Sequence, residues 1–354
     1  MPRILYVAHK TLLTTLYSEL DQVAAHMAVL LVGTAGSVVE RKNAGGTCFY
    51  THQFYDAEGR KRERYIAGPV GKKEADERAD ALRNKIVECK EISKSTRLLV
   101  REGYYRADSR TYATAAALHN HGLFAAGATL LGSHACGALL NHLGVRAAAY
   151  ETKDVDIGRD GPLTLDAKLK DGILGALSAS GIPFVEAPRL NVREPSTSFM
   201  KPGAPAFQVD LLTPARRNQK PFQPVSIPEL MAHATSMPYL DYLLAETQFV
   251  TLIAREGVCR VRVPTPERMA WHKLLVSGLR ATQSSKSRKD FEQGCVLVAA
   301  VGDLDGEALL EAAGALAASA WSKILKRRGM VEAAVADHPR ALEAFQDAIR
   351  SRKV

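Results

Sequence analysis

The chain has 354 residues, 46% of them hydrophobic and 24% charged, a balance that excludes disordered and fibrous proteins and predicts roughly two or three globular domains. Its 47 lysines and arginines exceed the 38 acids, giving a net charge of +9 and a pI near 9.3, which favours polyanionic partners without identifying a fold. The five cysteines lack CxxC pairs and zinc spacing, and the apolar run at 23–32 is far shorter than the ~20 residues of a membrane span. We therefore expect a cytoplasmic protein without a membrane partner.

Residues 1–100 predict an accessory module. Helical periodicity covers 1–40, and strand alternation over 47–68, interrupted by turn residues at 56–59, predicts a β-hairpin followed by a charged helix over 72–102. The hairpin mixes aromatic rings with four basic residues: Arg60, Lys61, Arg62 and Arg64. Such a mixture is typical of nucleic-acid contacts, and also of a hairpin with one packed face.

The rest of the chain predicts two further domains, 101–225 and 226–354. The first alternates helices, over 112–119 and 165–178, with short strands at 129–131 and 206–212, which is an α/β or α+β signature. The second is mainly helical, with predicted helices over 267–279, 304–326 and 331–350.

One candidate phosphate site lies where the strand 129–131 ends in Gly132 and Ser133 and a helix is predicted to begin. At such a corner backbone amides point outward, glycine permits close approach of a phosphate, and the serine hydroxyl can donate to it. Strand-Gly-Ser-helix connections are common, so this corner alone does not establish a phosphate site.

Three acids on predicted strands strengthen this interpretation. Alternation puts Asp154 and Asp156 on one face, and Asp210 is a lone acid in an apolar strand. Neighbouring carboxylates repel each other, and Mg²⁺ or Mn²⁺ between them offsets that repulsion. Each acid alone is more simply a solvated strand residue or a turn former. Together with the corner, their order favours a single site with two metal ions about 4 Å apart.

Residues 129–214 resemble the palm of the DNA polymerase β-like nucleotidyltransferases. Residues 120–300 are similar to an uncharacterised bacterial family of such enzymes, through GSHA at 132–135, TKDVD at 152–156, VDLLTP at 209–214 and HK at 272–273. The resemblance implies an α+β fold whose palm domain is a mixed, mainly antiparallel sheet flanked by helices. A helix-hairpin module precedes this palm domain in the chain, and a C-terminal helical domain follows it. The gap between Ser133 and Asp154 exceeds that of the compact pattern, which predicts an additional strand or loop there.

The resemblance also implies roles for individual residues. Gly132 and Ser133 would hold the β and γ phosphates of an NTP, Asp154 and Asp156 would ligate both metal ions, and Asp210 would ligate the catalytic metal and act as base. Lys273 would be a further triphosphate contact. The basic residues that follow it either receive a polyphosphate or RNA or line a loop, with Asp290 as a candidate partner: Arg280, Lys286, Arg288 and Lys289.

A second stretch has the same order of residue types. Residues 33–37 and 56–58 supply Gly-Ser and paired acids, but these acids fall among turn residues without apolar flanks, so we reject them as a metal site.

The sequence thus predicts an enzyme that transfers NMP from an NTP to an acceptor hydroxyl with release of pyrophosphate. RNA, protein and small-molecule acceptors stay open, including a toxin-like RNA-modifying enzyme with an antitoxin-like protein partner. Two alternatives also stay open: a non-catalytic nucleic-acid-binding or interaction protein on a degenerate palm, and a phosphotransferase on the same fold.

Overall fold

The computed structural model describes residues 4–148, 152–166, 169–189, 191, 193–203, 207–216, 219–279 and 284–352. Its strands, in chain order, are β1 Val7–Ala8, β2 Ser37–Lys42, β3 Cys48–Tyr55, β4 Lys61–Ala67, β5 Thr129–Leu130, β6 Val145–Arg146, β7 Asp154–Gly158, β8 Val185–Glu186, β9 Ser198–Met200, β10 Gln208–Pro214, β11 Pro224–Ile227, β12 Ala232–Met237, β13 Thr247–Ile253 and β14 Val258–Pro264. Its α-helices are α1 Thr11–His26, α2 Lys73–Arg101, α3 Ser109–Asn120, α4 Gly132–His142, α5 Gly172–Ser178, α6 Leu240–Leu244, α7 Pro266–Leu279, α8 Ser285–Leu304, α9 Gly306–Gly314, α10 Ala318–Leu325, α11 Arg328–Ala334 and α12 Pro339–Ser351, and a 3-10 turn covers Pro228–Leu230.

The central sheet has the strand order β11-β12-β10-β7-β5, with β9 beside the first half of β10 and β8 beside β9. Strands β7, β10 and β12 are parallel, whereas β5, β9 and β11 run antiparallel to their neighbours. Val155, Ile157, Val209 and Leu211 are buried on one face of β7 and β10. Because side chains alternate along a strand, the acids between them lie on the other face. The predicted α+β class with a mixed sheet is confirmed.

The N-terminal module contains the predicted hairpin, β3 and β4, with β2 as a third strand. This sheet packs on α2 through Tyr50, Ala67, Ala75 and Ala79. The prediction of a helix over 1–40 is wrong outside α1. Glycines at positive φ interrupt the chain at 33 and 36, and the β-branched Val38 and Val39 favour the strand that follows.

The C-terminal helices pack as a layer in which α7 and α8 lie side by side. Gly294 of α8 permits this approach, since a Cβ there would lie 2.9 Å from Leu274 of α7. The helices predicted over 304–326 and 331–350 are each divided in two, and Pro339 begins the last one. Within the described ranges of the chain, no helix is both long and apolar enough to cross a bilayer.

Candidate active site

The three predicted acids lie together on one face of two adjacent strands. In the parallel register of β7 and β10, Asp156 is opposite Asp210, and Asp154 is opposite Gln208. All three carboxylates are partly accessible to water, whereas the residues between them are buried. We call Asp154, Asp156 and Asp210 the acid face.

The glycine-serine corner lies directly against this face. Strand β5 pairs with β7, the Leu131 amide donates to the carbonyl of Asp156 at 2.8 Å, and α4 begins at the next residue, Gly132. Gly132 has φ +67°, and a Cβ there would lie 2.1 Å from Asp156 Oδ2. Only glycine fits this conformation and this contact without displacing the carboxylate. The start of α4 therefore opens beside Asp156.

The acid face carries negative charge that the protein offsets only in part. The pKa of Asp156 is raised to about 7, chiefly by burial and then by the neighbouring Asp210 and Asp154, while Lys273 and Lys286 oppose the shift. Like charges that are desolvated together disfavour ionisation. A cation at this face would relieve that cost.

The structure places the predicted lysines at different depths. Lys286 Nζ is exposed and lies 3.8 Å from Asp154 Oδ2, and burial together with Lys273 lowers the pKa of the half-buried Lys289. Lys273 Nζ donates to Asp290 Oδ1 at 2.7 Å, and both side chains are under 10% exposed. The Lys273 ammonium group is thus paired with a buried carboxylate, and its direct contact with a triphosphate stays a prediction. Arg280 lies outside the described residues.

Asp210 is held by two neighbours that sequence reasoning missed. Ser198 Oγ and Gln208 Nε2 donate to Asp210 Oδ1 at 2.5 and 2.6 Å. Gln208 was detectable, because it lies two residues before Asp210 on the same strand face. Ser198 was not, because only the antiparallel pairing of β9 brings it opposite Asp210. Across the part of the chain that the structure describes, no three His, Cys, Asp or Glu side chains are gathered closely enough to hold a metal ion as they stand.

The start of α4 is anchored through His134. The Tyr105 hydroxyl lies 2.5 Å from His134 Nδ1, Thr111 Oγ1 lies 3.3 Å from Nε2, and Thr111 in turn donates to Asp108 Oδ2 at 2.7 Å. Burial lowers the pKa of His134 to about 4, so the ring is neutral at pH 7. This chain of hydrogen bonds ties the helix that follows the corner to the start of α3.

A cavity of about 620 Å³ lies beside Ser133 and Lys153, the chain neighbours of Gly132 and Asp154. The hairpin turn of the N-terminal module forms part of its wall through Ala57. The next residue, Glu58, is buried and ion-paired with Arg110 and Lys201, which fixes the turn against the central domain.

The rejected acids have a structural role in that turn. Asp56 Oδ1 accepts hydrogen bonds from the backbone amides of Glu58 and Arg60, both at 2.9 Å, and Asp56 Oδ2 pairs with Arg62. Alternation puts Arg62 and Arg64 on one face of β4 and Lys61 on the other, so the basic hairpin residues do not share one surface. Their contact with nucleic acid stays a prediction.

The corner and Lys286 thus both lie against the acid face. A protein family described as nucleotidyltransferase matches residues 109–319, more than half of the chain, and the chain belongs to this family. Among solved structures, an antigenic nucleotidyltransferase-like protein from Paracoccidioides brasiliensis is similar over 66% of this chain and 94% of that one, with 13% identity and a TM-score of 0.33. No curated protein matches the chain.

Proposed function

We propose that the protein is a magnesium-dependent nucleotidyltransferase of the polymerase β-like type, which transfers NMP from an NTP to an acceptor hydroxyl and releases pyrophosphate. One observation carries the proposal: Asp156 lies in register with Asp210 and also against the Gly132 corner. The groups suited to metal ions and the groups suited to phosphates therefore meet at one place.

The chemistry of the acid face suits a hard divalent cation. Asp154, Asp156 and Asp210, which share one face of β7 and β10, would hold Mg²⁺ or Mn²⁺, because these ions prefer carboxylate oxygens. When bound, such ions neutralise triphosphate charge and activate the attacking hydroxyl.

The residues of the chain itself position the reactants. The amides and the Ser133 hydroxyl at the start of α4 bind the terminal phosphates, and Lys286 and Lys289 supply positive charge above the acid face. The acceptor oxygen attacks the α-phosphorus and forms a new P–O bond while the bond to the bridging oxygen of the β-phosphate breaks. Asp210 receives the hydroxyl proton, as the resemblance implies, and pyrophosphate leaves. Positioning and charge neutralisation supply most of the rate enhancement in such reactions.

The test uses NTP labelled at the α or the γ phosphate, supplied with magnesium and total cellular RNA, protein or metabolites. The α label should reach an acceptor with stoichiometric pyrophosphate, and Asp156→Asn should abolish the transfer. Asp160→Asn is the matched control, since Asp160 lies just beyond the same strand, is exposed and pairs with Arg216 at the surface. Transfer of the γ label instead would indicate a phosphotransferase, and no transfer of either label would favour a non-catalytic protein.

A further inference from the structure

Four arginines line a second cavity of about 380 Å³, on the side of the molecule where the C-terminal end of α2 meets the β13–β14 hairpin. Arg97 and Arg101 lie on α2, Arg106 lies in the connection to α3, and Arg255 lies in the turn between β13 and β14. All four side chains are exposed. We call these four residues the arginine cluster.

The fold brings these distant residues together by specific contacts. Helix α2 packs on the β13–β14 hairpin through a core that contains Ile92, Leu99, Ile253 and Val258. The chain after α2 then forms a parallel bridge between Ala107 and Ala254, in which the Ala107 amide donates to the carbonyl of Ile253 at 2.9 Å. Arg106 precedes one bridge residue and Arg255 follows the other, so the two arginines are diagonal neighbours across the bridge and line the same cavity.

A hydrogen bond fixes the turn that carries Arg255. The Ser109 hydroxyl donates to Glu256 Oε1 at 2.6 Å, so the carboxylate next in the chain to Arg255 is directed to the start of α3. The position of Arg255 thus follows from contacts that do not involve its own side chain.

The arginine cluster has little compensating charge. Among the described residues, Arg97, Arg106 and Arg255 have no carboxylate within ion-pair distance, and Arg101 Nε lies 3.7 Å from Glu102. Guanidinium groups that share a cavity repel one another unless an anion lies between them. The planar fork of arginine matches phosphate oxygens in two-point contacts, which makes phosphate the preferred anion.

Arg106 connects the cluster with the candidate active site. It lines both the arginine cavity and the larger cavity beside Ser133 and Lys153. The larger cavity, at about 620 Å³, falls in the range of 300–1,000 Å³ typical of ligand sites, and Tyr105 contributes an aromatic wall. The arginine-lined surface thus continues, at Arg106, into a pocket of nucleotide size whose wall includes Ser133 of the glycine-serine corner.

We propose that the acceptor is the 3′ end of a single-stranded polynucleotide, whose backbone phosphates bind the arginine cluster and whose terminal nucleotide enters the larger cavity. This inference rests on the proposed function. The 3′ oxygen attacks the α-phosphorus of the NTP, a phosphodiester bond forms, the bond between the α-phosphorus and the bridging oxygen breaks, pyrophosphate leaves, and the hydroxyl proton passes to Asp210. The net charge of +9 acts in the same direction by attracting polyanions.

The test measures binding separately from chemistry. Full-length protein in EDTA is titrated into fluorescein-labelled single-stranded RNA and, in a second arm, DNA of the same sequence, and fluorescence anisotropy is followed over a range of salt concentrations. Arg97→Ala/Arg255→Ala should weaken binding roughly 25-fold at about 0.1 M salt and make the log–log salt slope shallower by about 1.4, because each phosphate contact to a single strand contributes about 0.7.

Matched variants separate the cluster from general charge. Arg78→Ala removes an exposed arginine earlier on the same helix and should change affinity much less, and Arg97→Lys/Arg255→Lys should keep most of the binding. Thermal melts of each variant should match wild type, because the substituted side chains are exposed. The stronger-binding arm, RNA or DNA, identifies the sugar of the acceptor.

Several outcomes would overturn the inference. These are no binding of either oligonucleotide, a loss of affinity in Arg78→Ala equal to that in the double alanine variant, and unchanged affinity in the double alanine variant. Binding of an acidic peptide instead of the oligonucleotides would also overturn it. Its failure is distinguishable from failure of the proposed function. If the α label reaches another acceptor while oligonucleotides do not bind, only this inference falls. If oligonucleotides bind through the cluster but no NTP label is transferred, the surface stands and the enzymatic proposal falls.

Discussion

Asp156→Asn is expected to make the metal-free protein more stable while abolishing nucleotidyl transfer. The carboxylate of Asp156 is desolvated beside Asp210 and Asp154, and its pKa is raised from 3.8 to about 7. The folded state therefore binds a proton more tightly than the unfolded state. The stabilising effect of that proton is fully present below pH 3.8 and is lost as the pH rises to about 7.

The size of this effect follows from the pKa difference. The interval from 3.8 to about 7 corresponds to roughly 4 kcal/mol between the two protonation states. Part of the Asp156 side chain is accessible to water, and asparagine has its own cost of burial, so we expect about 2 kcal/mol in the variant. For a chain of this size that is a rise of roughly 3 °C in Tm.

The assay is thermal unfolding of wild type and Asp156→Asn in EDTA at a series of pH values from 4 to 8. The difference in Tm should be small near pH 4, grow with pH, and level off above about pH 7. Magnesium with NTP should then raise the Tm of wild type more than that of the variant, since ligands that bind only the folded state stabilise it. A variant that melts below wild type at pH 8, or a Tm difference independent of pH, would refute the proposed electrostatics of the acid face.

Two further predictions concern the phosphate side of the site. Gly132→Ala should abolish transfer, because the new Cβ would lie 2.1 Å from the carboxylate of Asp156. Gly122→Ala is the control: Gly122 has a similar positive φ of 73° but open space around it, so this variant should lose stability and keep its activity. Measuring kcat and Tm for both variants separates the two effects, and equal activities would contradict the contact. Lys286→Ala should raise the KM for NTP about five-fold, equivalent to about 1 kcal/mol of charge interaction. Arg288→Ala on the same helix is the control and should leave KM unchanged, because Arg288 pairs with Glu292. Steady-state kinetics measures both values, and similar KM values for the two variants would show that Lys286 does not contact the NTP.

The acids and the corner were predictable because their placement depends on local rules. Strand alternation puts Asp154 and Asp156 on one face whichever strands lie beside them, and the helix start after residue 131 follows from the glycine at the end of a strand. What the sequence did not contain is the register. That Asp156 pairs with Asp210, and that Gly132 rather than Ser133 touches its carboxylate, depends on how β5, β7 and β10 align.

The depth of a side chain was less accessible from the sequence. The close packing of α7 on α8 pairs Lys273 with Asp290, one helix later, and no local pattern around Lys273 indicates this partner. The arginine cluster was not detectable either, because Arg97 and Arg255 are distant in the chain and meet only when α2 packs on the β13–β14 hairpin. Such sets depend on tertiary contacts that leave no short-range pattern.

The location of the cavity walls has a consequence for selectivity. The family match begins at residue 109, after Ala57, Tyr105 and Arg106, although all three line the larger cavity. The turn that carries Ala57 is held in place by Glu58, whose ion pairs with Arg110 and Lys201 join the N-terminal module to the central domain. Breaking a buried ion pair from one side costs about 3–5 kcal/mol, so the module is a fixed part of this wall. The proposed reaction centre therefore lies within the matched region, while the features proposed to select the acceptor come largely from the segment before it.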